Sequence, residues 1–246
     1  MKKSELKTLI KEIISEISGT FYHGCSNSTD GKEILTDGFL KPGNKTTKKG
    51  SKLTPDINRT YVTPNFVEAI TYMIGSDTIG SIKKDDLVEN GKFGFLFVID
   101  GNTLDNIEPD EDYLGESIFI LSKIYGSNKP PTDGFKLEER LLRWGIIKRK
   151  RFLNECKKLL TSLQYKNCIK YNDYTDFKDF GDFAVAGKKL NKFLSDYWKQ
   201  EIIKCGISVS QLGKIEFKEA WKFDKNLNPK LKLDGSNFFS LAERIK

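Results

Sequence analysis

Histidine occurs once in this chain of 246 residues, at His23. That excludes a zinc site built on several histidines and any mechanism that pairs two imidazoles, and it leaves Cys–His or Ser–His schemes only if His23 is the base. The four cysteines, Cys25, Cys156, Cys168 and Cys205, are far apart and form no C-x-x-C pair. They give no disulfide framework, and a reducing compartment suits them. No apolar run is long enough to span a bilayer or to serve as the core of a secretion signal, so a cytoplasmic protein with no membrane partner is expected. Neither a G-x-G-x-x-G fingerprint nor a Walker loop is present, so any nucleotide is held without a Rossmann or P-loop cradle. Asp110, Glu111 and Asp112 are clustered but lack the glycine and ligand spacing of a calcium loop; they read as a solvated acidic loop over residues 106–116, and no metal is expected.

What is present is charge and aromatic surface. Charged residues make up 30% of the chain and aromatics 12%, with 38% hydrophobic overall, which predicts an ordered domain with a heavily charged exterior. The length suits one domain over residues 19–246 better than two equal ones. The net charge of +7 attracts polyanions and makes nucleic acid a plausible partner.

Along the chain, Leu6, Leu9, Ile10, Ile13, Ile14 and Ile17 recur at helical spacing, predicting an amphipathic helix over residues 1–18. Residues 20–24 read as a strand. A helix around 32–37 closes at Gly38, and a lysine- and glycine-rich loop over 44–59 has the look of a lid. Residues 59–63 form a second strand, after which Pro64 and Asn65 open a helix through Glu68, Ala69 and Tyr72. The apolar run 93–99 predicts a central strand. Residues 201–204 and 214–217 read as late strands with 208–212 turning between them, and the last residues form a short helix. A helical and aromatic insertion is expected at about 128–190. Strands and helices interleave without regular alternation, so the fold class is α+β.

The ordered set Tyr22-His23-Gly24-Cys25, Ile34-Leu35, Gly38-Phe39-Leu40-Lys41-Pro42, Tyr61-Val62-Thr63-Pro64-Asn65, Ala69 and Tyr72 has a known likeness. It resembles the NAD-binding half of ADP-ribosyltransferases of the diphtheria-toxin and poly-ADP-ribose-polymerase type. The pattern there is Y-H-G-T, a helix containing isoleucine, G-I/F-x-K-P, and two tyrosines eleven apart, as 72 − 61 = 11 gives here. The likeness covers about the first hundred residues, and Cys25 stands where threonine or serine is usual. It implies split mixed β-sheets around an NAD cleft with flanking helices. It also implies an enzyme that releases nicotinamide from NAD+ and passes ADP-ribose to a macromolecular acceptor, nucleic acid or protein, and it brings a toxin setting within the expectation.

Those residue types fit that chemistry. Tyr61 and Tyr72 can bracket a planar nicotinamide by offset stacking. Gly24 lets backbone approach the carboxamide, and the imidazole of His23 can donate to a ribose hydroxyl. The resemblance implies contacts to NAD from His23, Gly24, Cys25, Tyr61, Thr63, Ala69 and Tyr72, with His23 and Tyr61 also catalytic.

An oxocarbenium-like centre calls for a carboxylate near the ribose. In the resembled family that group is a glutamate at the start of a late strand, and Glu201 fits best, ahead of Glu216, Glu138, Glu139 and Glu111. Lys199 stands where arginine-modifying relatives carry Gln or Glu, which disfavours arginine as acceptor. The basic run 148–151, with Tyr165, Tyr171, Tyr174, Phe177 and Phe180, is a candidate grip for a nucleic-acid target. Two alternatives stand beside the transferase: a binding module of the same fold without catalysis, and an RNA 2'-phosphotransferase. The second needs arginines in motifs that this chain does not carry.

Overall fold

The computed structural model describes residues 19–43, 56–74, 91–115, 155, 158, 187–188, 191–192, 194–226 and 237–246. The expected helix over 1–18, the loop residues 44–55, Glu138, Glu139 and the insertion with its basic run and aromatics lie outside them, apart from isolated positions. The fold is mixed α+β with antiparallel pairing. The chain divides into two compact units, one of residues 1–42, 60–106 and 211–246, the other of 43–59 and 107–210.

The first unit is built on a four-stranded sheet. In chain order its strands are β1 (Thr20–Cys25), β4 (Phe93–Asp100), β8 (Glu219–Asp224) and β9 (Glu243–Arg244), and they lie side by side in that order. β4 is buried at every position from Gly94 to Ile99, as its unbroken apolar run predicts for a strand covered on both faces. The register sets Tyr22 beside Val98 and Glu219, and His23 beside Phe97 and Ala220. Because side chains alternate along a strand, those two rows face opposite ways.

Helix α2 (Phe66–Ile74) covers the Tyr22 face. Its Ala69, Ile70, Met73 and Ile74 form a core with Leu96, Phe223 and Phe238. Burying each of the larger side chains stabilises the fold by about 1.5–3 kcal/mol. Two glycines let the helix come this close: a Cβ on Gly24 would lie 1.9 Å from the Ala69 carbonyl oxygen, and one on Gly94 would lie 2.4 Å from that of Met73. Asn65 caps α2, its Oδ1 accepting from the amides of Val67 and Glu68 at 3.1 and 3.4 Å.

Helix α1 (Ser28–Asp37) covers the other face, where the glycine at position 31 sits over the Phe95 ring. It begins at Asn27, whose side chain accepts from Thr29 and Asp30, and ends at Gly38 with φ +79, a left-handed position that favours glycine. Beyond it β2 (Phe39–Leu40) pairs with β7 (Ile215–Glu216). The chain closes with α4 (Phe238–Leu241), the short terminal helix expected, followed by β9.

In the second unit β5 (Glu108–Pro109) pairs with Val209 and Ser210, the first half of β6 (Val209–Leu212). Helix α3 (Asp196–Ile203) lies against β5. Glu108 holds both Arg59, the first residue of β3 (Arg59–Val62), and Lys199 of α3, the latter at 2.7 Å.

Three sequence expectations are corrected here. Residues 201–203 end a helix and do not begin a strand; the buried pair Ile202 and Ile203 sits on its inner side, so the β-branched run that suggested a strand is satisfied by packing. Residues 209–212 are strand and not turn. The acidic loop at 106–116 contains β5 and a helical turn at 111–115, which Asp110 starts by accepting from the Asp112 amide at 2.9 Å.

Candidate functional site

In the first unit β1 meets Thr63, the residue after β3, at one isolated bridge. The Tyr22 amide donates to the Thr63 carbonyl at 2.8 Å and the Thr63 amide returns to the Tyr22 carbonyl at 2.9 Å. One residue on, His23 Nδ1 lies 2.9 Å from the Tyr61 carbonyl oxygen. A carbonyl only accepts, so Nδ1 carries the hydrogen, and Nε2 of the neutral ring is an acceptor. This corrects the hydrogen-bond direction expected for the imidazole: its donor is in use, and a hydroxyl meeting Nε2 would donate to it. Burial lowers the His23 pKa from the ordinary 6.5, while the bond to Tyr61 acts the other way. The ring is therefore neutral at pH 7. It tilts over Phe97, centroid to centroid 6.4 Å, and Phe97 in turn meets Phe217 at 4.9 Å.

Gly24 and Ala69 touch, as the 1.9 Å approach requires, so the glycine after His23 already has a packing reason. Cys25 is held by burial, which pushes its thiol up to about 11, and its Sγ donates to the Asn27 carbonyl at 3.4 Å. A thiol protonated at pH 7 is no nucleophile. Thr63 is 4% exposed, and its Oγ1 donates to Glu68 at 3.0 Å and accepts from the Asn65 amide at 3.1 Å, so it joins β3 to α2. Ala69 is wholly buried. Tyr61 is half-buried on β3, and Tyr72, one turn beyond Ala69 on α2, is 53% exposed. The residues proposed from the early motifs are thus gathered on three adjoining elements of one unit.

The carboxylates are distributed otherwise. Glu201 belongs to the second unit, on the last turn and a half of α3, where Oε1 accepts from Lys204 Nζ at 3.2 Å. The residues leading into β6 are Gly206, Ile207 and Ser208, so no acid begins that late strand. Glu216 is exposed on β7 opposite Phe39, and Glu111 is 2% exposed at the start of the helical turn 111–115. Sequence reasoning passed over Glu219, which begins β8, a late strand of the first unit. It lies in the Tyr22 row, on the face away from the His23 row, where it raises the Tyr22 pKa after burial and accepts from the Trp221 indole at 3.3 Å. The apolar residues of 219–224, Ala220, Trp221 and Phe223, do not alternate strictly with polar ones, so the local pattern was a weak signal for its strand.

An open depression of about 500 Å³ runs along α1 between Thr29, Lys32, Glu33, Thr36, Asp37 and Lys41, and takes in none of the expected site residues. Among the described residues no group of three His, Cys, Asp or Glu side chains is arranged to hold a metal ion, and no helix is long and apolar enough to cross a membrane. Comparison with protein-family models, curated proteins and solved structures finds no match to this chain.

Proposed function

We propose that the chain is a mono-ADP-ribosyltransferase that takes ADP-ribose from NAD+ and delivers it to a macromolecular acceptor, protein or nucleic acid. One observation carries the reading. His23, Gly24, Tyr61 and Ala69, which come from three separate sequence motifs, are joined within one unit by the His23–Tyr61 hydrogen bond of 2.9 Å and the Gly24–Ala69 contact. The α+β fold with antiparallel sheets is compatible with it.

In this reaction the bond between ribose C1' and the nicotinamide nitrogen breaks, nicotinamide leaves with the electron pair, and an acceptor nucleophile forms the new bond to C1' and loses a proton. Neutral His23 accepts a ribose hydroxyl hydrogen at Nε2 and fixes the sugar. Tyr61 and Tyr72 hold the nicotinamide ring by stacking. The sequence resemblance, and not the geometry of the first unit, is the ground for giving Glu201 the stabilisation of positive charge at the sugar. Incubating the full chain with NAD+ labelled in the adenylate moiety and a cell lysate tests the reading: label retained on a polymer, with free nicotinamide released in step, is the expected result. Nuclease or protease digestion then identifies the acceptor, and release of nicotinamide with no labelled polymer counts against transfer.

A second reading is favoured by the helical setting of Glu201, which departs from the strand-start glutamate of the resembled family. In it the chain binds NAD+ and does not turn it over. NAD+ binding without nicotinamide release would select it.

A further inference from the structure

The side chain of Lys225, the residue after β8, is 0% exposed, and its Nζ donates to the Ser26 carbonyl at 2.9 Å. Lysine is almost never withdrawn from water this completely, because desolvating an ammonium is costly and a charge-assisted hydrogen bond only partly offsets it. The carbonyl it serves belongs to the turn that joins β1 to α1, directly after His23, Gly24 and Cys25. Filling the space would need only an apolar chain of similar length. Supplying a donor to Ser26 needs the nitrogen.

The same turn is fastened at one further point, Ser28, where it enters α1. Ser28 Oγ donates to the Phe93 carbonyl at 2.9 Å and accepts from the Phe93 amide at 3.0 Å, taking the place of a neighbouring strand at the start of β4. The Lys225 amide donates to the Lys92 carbonyl at 3.0 Å, so the root of the lysine is tied to that same strand start. The positive charge also bears on the Cys25 thiol, whose pKa it draws downward against the larger effect of burial.

We infer that Lys225 is a positioning residue for dinucleotide binding: its ammonium sets the backbone of the turn at Ser26, and through it holds Gly24 and Cys25 in place for the NAD+ that these residues are proposed to contact. The inference rests on the proposed function. It acts through the turn, and Lys225 itself does not touch the substrate.

The test is calorimetric titration of NAD+ into the full chain for the wild type, Lys225→Met and Lys225→Arg, each below its own unfolding temperature. We expect the wild type to bind and folded Lys225→Met to bind about tenfold more weakly, the loss of one charge-assisted bond to the backbone. Lys225→Arg, which restores a charged donor, returns affinity to within about threefold. If Lys225→Met does not fold, Lys225→Leu, which likewise lacks a donor, takes its place with the same expectation. A folded variant that binds as tightly as the wild type, with only its unfolding temperature lowered, overturns the inference and leaves the NAD+ reading standing. Failure of the wild type to bind NAD+ overturns both.

Discussion

Gly24 and Ala69 are in contact through backbone: no side chain fits between the strand carrying His23 and the helix carrying Tyr72, since a Cβ at Gly24 would lie 1.9 Å from the Ala69 carbonyl oxygen and 2.7 Å from the Met73 nitrogen. Both obstructing atoms belong to helix backbone and cannot swing aside. Gly24→Ala is therefore expected to destabilise the fold by about 2–3 kcal/mol, at the upper end of the cost of overpacking. Chemical denaturation of the two proteins measures this, and an unchanged midpoint would remove the packing role.

The burial of His23 leads to a pH dependence. Burial lowers the folded-state pKa of His23 below the ordinary 6.5, which the unfolded chain retains. Above that value neither state binds the proton, and stability does not depend on this group. As pH falls below about 6.5, the unfolded chain takes up a proton that the folded one refuses, so stability declines until pH passes the folded pKa, below which both states bind it. Urea midpoints at pH 7.5 and pH 5.5 should differ more for the wild type than for His23→Asn, whose side-chain amide can still donate to the Tyr61 carbonyl. Equal differences in the two proteins would place the acid sensitivity elsewhere.

How far the sequence could be read follows from where each element gets its definition. The helix α1 was legible because Gly38 ends it locally, and α2 because Asn65 starts it. β4 was legible because burial on both faces leaves an unbroken apolar run. β8 was not, since Glu219, Lys222 and Asp224 make a strand that is only half buried look like surface, and its place is secured by pairing with β4 from a distant part of the chain. The misreading at 201–203 has the same origin: Ile202 and Ile203 suit a strand locally, and packing in the second unit makes them helical. The histidine–glycine pair could be read as a motif, but the reason for its glycine depends on Ala69 and could not.

Glu201→Gln tests the role given to Glu201 within the transferase reading. The amide keeps size and removes charge, and the pair with Lys204 is an i,i+3 contact on a partly exposed helix, so folding stability should change by less than about 0.5 kcal/mol. If Glu201 stabilises the charge that develops at the sugar, turnover falls about a hundredfold while NAD+ affinity stays nearly constant. Near-normal nicotinamide release from the variant would shift the role to another carboxylate.

Glu108 stands between two cations, Arg59 and Lys199, with 24% of its own side chain exposed. Glu108→Ala leaves both cations facing each other without their shared partner, in a setting between an exposed and a buried ion pair. The expected cost is about 1–2 kcal/mol, and it should shrink as salt is added. Denaturation at low and high ionic strength checks this, and no loss of stability at low salt would mean that the pair attracts too weakly to matter.

Tyr72 is the proposed site residue whose expected effects on stability and on binding separate most cleanly. With 53% of its surface exposed, it contributes less to the α2 core than Ala69, Ile70 or Met73, so Tyr72→Ala should cost no more than about 1 kcal/mol of folding stability. If its ring holds nicotinamide, NAD+ affinity should fall by about tenfold, the worth of one aromatic stack with its buried area. The same substitution should leave ADP-ribose affinity nearly unchanged, because that ligand lacks the nicotinamide ring. Titrating both ligands into Tyr72→Ala makes the comparison within one protein, and equal losses for the two would mean that the tyrosine supports the site without facing the base.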